Sequence, residues 1–136
     1  VARELLVEAE HGPDSAALLV THVEELAAAV AKAIPALLDE LPAQRRSFVE
    51  TVLAGYGGIV HTSSLAESID FVNEWAPEHL RVIVERPFEV LPRIVHAGEV
   101  LLGENTSIPF GNFVIGNVTP KRGNVETFVD PVVDRL

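Results

Sequence analysis

Apolar residues near the start of the chain fall three and four apart. Leu5, Leu6 and Ala9 thereby share one face of a helix expected over residues 2–10. Gly12-Pro13 ends it, because a proline biases the residue before it away from helical backbone. The run AALLVT (16–21) is short, apolar and flanked by polar residues, the pattern of a buried strand. Helical spacing returns at Val23, Leu26, Ala27, Val30, Ile34 and Leu37/Leu38. Residues 22–40 are therefore expected to be helical, with Pro35 bending the helix or splitting it in two. Pro42 opens a third helix, to about Ala54, with Phe48, Val49, Val52 and Leu53 inward. Gly55, Gly57 and Gly58 close it and lead into a strand at 59–62.

Ser63 and Ser64 then offer a helix N-cap, with Glu67 three residues after Ser64 as in a capping box. This helix runs through Leu65, Ile69, Phe71, Val72 and Trp75 as far as Pro77. LRVIVE (80–85) is β-branched and strand-like, residues 87–97 form a helix begun by Pro87 and stopped by Gly98, and 99–102 is a further strand. Short apolar strands separated by helical segments define an α/β fold, a parallel sheet of about four short strands with helical crossovers. After Gly103 the pattern lapses into a tail punctuated by Pro109, Gly111, Gly116, Pro120 and Gly123, whose 129–133 patch is one strand or one docked turn.

Composition narrows what such a fold does. The 136 residues suit one domain. Ten Lys/Arg against twenty Asp/Glu give a net charge of −10, which argues against nucleic acid and against an anionic membrane surface as partner. No apolar run approaches the ~18 residues of a membrane span and no secretory signal opens the chain, so a cytoplasmic location is expected. The chain begins at Val1, which leaves an initiator Met or a longer upstream segment out of view. With no Cys, disulfides, thiolate metal sites and thiol nucleophiles are excluded, leaving five His and the carboxylates as metal ligands and bases.

Three constellations are candidates for chemistry. Glu8 and His11 stand at i and i+3 at the end of the first helix, with Cβ atoms expected roughly 5–6 Å apart. A carboxylate and an imidazole so placed suit one cation, which the negative helix end also favours; a solvated Glu beside a helix-terminal His is the plainer reading from spacing. Glu78-His79, after Pro77, places two proton acceptors between a helix end and a strand start, where an exposed charged turn is the plainer reading. Gly103-Glu104-Asn105-Thr106 with Gly111-Asn112-Phe113 forms a polar, glycine-rich loop after the last strand, either a surface loop or a site at the carboxyl ends of the strands. All three are expected at one rim of the sheet. His22, His61 and His96 read as packing or surface residues, and Gly55-Tyr56-Gly57-Gly58 as a helix stop, since a dinucleotide fingerprint follows a strand and opens a helix.

Together, EAEHGPDS (8–15), FVNEWAPEHL (71–80) and HAGEVLLGENT (96–106) resemble the histidinol dehydrogenase family, over about residues 1–116. Residues 117–136 find no counterpart and are expected to be a separate tail. The resemblance implies a zinc- and NAD-dependent dehydrogenase that oxidises an amino alcohol through an aldehyde to an acid. It puts a general base at His79 and an activator of water at Glu78. Glu8, His11 and Asn112 fall at its metal-ligand positions, where the family has Gln, His and Asp. Glu for Gln adds a negative charge and Asn for Asp removes one, so the summed ligand charge stays at −1 with a neutral His, while the alcohol need not be histidinol.

The family's dinucleotide-binding domain and its C-terminal ligand residues have no counterpart in these residues, which leaves an incomplete, Rossmann-like half-domain. An excised piece, a truncated gene or a stand-alone descendant would each look this way, and the isolated chain is expected to be inactive. The alternative is a non-catalytic α/β association module that self-associates or docks on another subunit. On either reading an uncovered sheet edge and apolar face favour a homo-oligomer.

Overall fold

The computed structural model describes residues 1–106 and the strand 126–129. Its contacts divide the chain into two compact units, Val1–Ser68 and Ile69–Leu136. In the first, α1 (Ala2–Ala9) precedes β1 (Ala17–Thr21), two crossover helices α2 (Glu24–Asp39) and α3 (Ala43–Ala54), and β2 (Gly57–His61). The strands β1 and β2 pair in parallel, in register from Ala17 opposite Gly57 to Thr21 opposite His61. The apolar stripe of α1 is buried as its spacing requires: Leu5, Leu6 and Ala9 pack with Ala17, Val30, Val49 and Val52.

Pro35 neither splits nor ends its helix, since α2 is continuous across it. Proline removes the bond to the carbonyl four residues back, here that of Ala31. Ala31 and Pro35 are both exposed, so water can serve that carbonyl while Ile34, Leu37 and Leu38 hold the other face on the core. The glycines after α3 have distinct tasks. At Gly57 a Cβ would come within 3.0 Å of the Val52 carbonyl oxygen and 3.1 Å of that of Ala17, so only glycine lets β2 start this close to α3 and β1. Gly58 has φ of +138°, outside the range of other residues.

The next helix, α4 (Leu65–Trp75), starts as expected, with a shifted partner: the Ser64 hydroxyl accepts the Glu67 N–H at 3.2 Å, but the Glu67 carboxylate takes the N–H and hydroxyl of Ser63, at 2.6 and 2.5 Å. These bonds, the Ser63 hydroxyl first and its amide next, hold the Glu67 carboxyl below its ordinary range. A group whose pKa is lower folded than unfolded stabilises the fold above its unfolded pKa, and that contribution disappears as pH falls through the folded value. Glu67→Gln should therefore lower stability near neutrality and leave a shallower loss of stability below about pH 4, where free glutamate protonates. Urea midpoints recorded from pH 7 to 3 check this, and parallel curves for the two proteins would contradict it.

The second unit holds a parallel three-stranded sheet, β3 (His79–Val82), β4 (Glu99–Leu102) and β5 (Glu126–Val129), with β4 in the centre. The α/β class with short parallel strands stands, and its strands are shared between two small sheets. Between β3 and β4 the expected helix over 87–97 is short, α5 (Pro87–Val90) followed by one 3-10 turn, Leu91–Arg93. Pro92 has no N–H to continue the ladder, and the Asn73 side chain stops it from outside. It donates to the Arg93 carbonyl at 2.9 Å and accepts from the amides of Val95 and His96 at 2.9 and 3.4 Å. The strand expected to reach Glu85 stops at Val82, because Gly103, at φ of +91°, turns its partner strand away after its N–H reaches the Val82 carbonyl at 3.0 Å. The patch expected over 129–133 is met only at its first residue, where β5 ends; 130–136 lie outside the described residues.

Candidate active site

Leaving α4, the chain passes through Ala76, whose φ of +54° is left-handed although it bears a side chain and precedes a proline. That conformation costs roughly 1–2 kcal/mol for an L-residue, and it turns the chain straight from the helix into Pro77-Glu78-His79. Two backbone bonds fix this turn to the start of β4: Gly98 N–H to the Pro77 carbonyl at 3.0 Å and Glu99 N–H to the Glu78 carbonyl at 2.8 Å. His79 then begins β3 directly opposite Glu99. Its Nε2 lies 3.9 Å from Glu99 Oε2, too far for a hydrogen bond and close enough for strong electrostatic contact. Both side chains are largely shielded from solvent, 15% and 6% exposed, whereas Glu78 is exposed. Two residues along β3, on the same face as His79, the Arg81 guanidinium donates to the Glu104 carbonyl and ties down the loop after β4.

In the first unit, Glu8 lies in the last turn of α1, and His11 follows two residues after the helix ends, its N–H reaching the Glu8 carbonyl at 3.5 Å. The Arg45–Glu10 ion pair, 3.0 Å, holds this turn to α3. His11 Nδ1 is 2.8 Å from the Val7 carbonyl. A carbonyl only accepts, so Nδ1 carries the proton and the lone pair of the neutral ring is on Nε2. This is how metal-binding imidazoles are held, the far nitrogen anchored to an acceptor and the near one left basic. A Glu oxygen and a His nitrogen also match the donor preferences of zinc, so these residues fit the ion. Among the described residues no group of three or more His, Asp or Glu is placed to hold a metal, and Asn112 lies outside them.

The rim expected from the sequence is corrected in one respect. Pro77-Glu78-His79 sits at the amino ends of β3 and β4, and Gly103–Thr106 at their carboxyl ends, about 10 Å away along the strands. The reason is direction: His79 is the first residue of its strand, while the loop follows the last residue of its neighbour. Sequence reasoning missed Glu99, which it read as an ordinary strand opening. The available signal was a lone carboxylate inside a segment expected to be buried on both faces. His96, expected as a packing or surface residue, is exposed, its Nδ1 3.1 Å from the Asn73 backbone carbonyl.

Parallel strands with helical crossovers make this an α/β protein, and in its second unit a shielded imidazole faces a buried carboxylate. The family model for histidinol dehydrogenase matches residues 1–126. The chain is 50% identical over 116 residues to a "histidinol dehydrogenase homolog" of Cereibacter sphaeroides, covering 85% of this chain and 26% of that protein. It is 47% identical over 115 residues to the histidinol dehydrogenase of Synechocystis, with the same coverage of each. The crystal structure of histidinol dehydrogenase from Elizabethkingia anophelis superposes with a TM-score of 0.75 at 34% identity, over 81% of this chain and 25% of that one. The chain belongs to the histidinol dehydrogenase family, and it spans about a quarter of the length of the curated relatives it matches. No helix among the described residues is long and apolar enough to cross a membrane.

Proposed function

We propose that this chain contributes the proton-handling residues and part of the metal site of a zinc- and NAD-dependent alcohol dehydrogenase of the histidinol dehydrogenase type. Such an enzyme takes an amino alcohol or related alcohol through the aldehyde to the acid. The observation that carries this reading is the setting of His79, an imidazole shielded from water and facing a carboxylate at the end of a rigidly bonded turn.

Glu8 and His11 would hold the zinc, with Asn112 as a further donor. Bound there, zinc would polarise the alcohol oxygen, and NAD would accept the hydride. His79 takes the hydroxyl proton on a ring nitrogen as the carbonyl forms. Glu78, exposed beside it, takes a proton from the water that adds to the aldehyde before the second oxidation. Residues 1–116 carry these roles. The isolated chain would be inactive, because the nicotinamide site and further ligands lie outside it. A cytoplasmic homo-oligomer acting on a small molecule completes the reading, with no nucleic acid or membrane as partner.

Zinc titration of the 136-residue chain, followed by the ring 15N signals of His11, tests the metal assignment. Added zinc should move the His11 Nε2 signal while Nδ1 keeps its proton, and His11→Ala should weaken binding at least tenfold. Zinc that leaves the His11 ring unchanged contradicts the assignment.

A further inference from the structure

We propose that Glu99 is a positioning residue for His79, fixing which ring nitrogen holds the proton and stabilising the imidazolium that forms when the ring accepts one. This rests on the reading of His79 as general base. Glu99 is the one charged residue of β4. The three residues that follow Glu99 in β4, Val100, Leu101 and Leu102, are fully buried, and Glu99 itself is 4% exposed. Burying a carboxylate costs several kcal/mol of lost hydration unless cationic or hydrogen-bonding groups surround it, and an apolar side chain of similar volume commonly serves a fold as well or better.

The strand register supplies the geometry. His79 and Glu99 are direct partners across the β3–β4 pair, and the backbone bonds from Gly98 and Glu99 to Pro77 and Glu78 hold the two strand starts together. Placement of the two side chains therefore depends on the sheet. The carboxylate approaches Nε2, at 3.9 Å. A negative charge there favours the neutral tautomer with its proton on Nε2, which puts the basic lone pair on Nδ1. When Nδ1 accepts a proton, the same carboxylate faces the new positive charge. A buried carboxylate beside a catalytic imidazole orients and stabilises the ring in this way without itself exchanging the proton.

Glu78 is a poorer candidate for the role, since its side chain is exposed and its carbonyl already accepts the Glu99 N–H. Among the other charged residues of this sheet, Arg81 lies two residues along β3 on the same face, Glu104 lies in the loop that Arg81 holds, and Glu126 occupies the register position beside Glu99 on β5. Arg81 opposes protonation of the ring and Glu99 favours it. Neutralising Glu99 removes the negative charge that faces Nε2 and so loosens the ring's hold on a second proton.

The test is NMR of the 136-residue chain labelled with 15N and 13C, with His79 signals assigned through His79→Asn. The parent should show the Nε2–H tautomer at high pH, and the His79 ring and the Glu99 carboxyl carbon should share one inflection on titration. In Glu99→Gln the tautomers should become mixed, and the His79 inflection should shift to lower pH. If Glu99→Gln does not fold, the shared inflection in the parent decides alone. An Nδ1–H tautomer, independent titrations, or an unchanged His79 ring in a folded Glu99→Gln overturns the proposal. None of these signals depends on turnover. A failed positioning role therefore leaves the dehydrogenase reading intact, whereas full activity of His79→Ala in the protein of the uninterrupted reading frame removes that reading without altering the parent's ring spectra.

Discussion

Replacing His79 with alanine should lower kcat for alcohol oxidation by about 10²–10⁴-fold, the usual contribution of a positioned general base. The measurement belongs in the protein translated from the uninterrupted reading frame around this segment, with NADH formation followed under saturating alcohol and zinc. On the proposed role, removing the ring takes away the acceptor for the hydroxyl proton, so an alkoxide must form against bulk water. Binding of the alcohol should change little, because the acceptor contributes mainly as the proton moves. The loss should thus appear in kcat and not in KM. Free imidazole in the buffer should restore part of the rate to His79→Ala by occupying the vacated space. Activity within tenfold of the parent would show that the proton leaves by another route.

Leu101→Ala should cost about 2–5 kcal/mol of stability, the range for truncating a fully buried leucine. Leu101 has no exposed surface and sits in β4, between β3 and β5, opposite Arg81 and Phe128. Domains of ordinary stability have about 5–15 kcal/mol in all, so the variant should unfold at a much lower urea concentration with its m-value unchanged. Val95→Ala is the matched control. Val95 is 55% exposed, and its loss should stay within about 0.5 kcal/mol. Equal effects from the two substitutions would mean that β4 is not the centre of the second unit's packing.

The sequence made the fold legible wherever one periodicity ruled a whole segment. The stripe Leu5, Leu6, Ala9 and the pair Val49, Val52 are core because nothing competes with their helical spacing. Legibility failed where a side chain distant in sequence decided the backbone. Asn73, some twenty residues upstream, collects the polar groups of Arg93, Val95 and His96 and so converts the end of an expected helix into an extended approach to β4. Nor does period-two spacing say which strands pair, so a single sheet and two smaller ones look alike in the sequence. At the candidate site, Glu78-His79 and Glu8-x-x-His11 could be singled out because adjacent or helically spaced ligands advertise themselves. Glu99 could not, because it meets His79 only through the register of two parallel strands joined by an irregular crossover. The left-handed Ala76 was equally hidden, since alanine before proline carries no sequence signal for that conformation.

Stoichiometry and metal dependence of the oxidation test the proposed role most directly. NADH should be measured with L-histidinol and a panel of other amino alcohols, with zinc and with a chelator, for the protein of the uninterrupted reading frame beside the 136-residue chain. The predicted result is two NADH per alcohol consumed, turnover abolished by the chelator and restored by zinc, and none from the 136-residue chain alone. Turnover indifferent to the chelator, or zinc-stimulated NADH formation by the 136-residue chain, would contradict it.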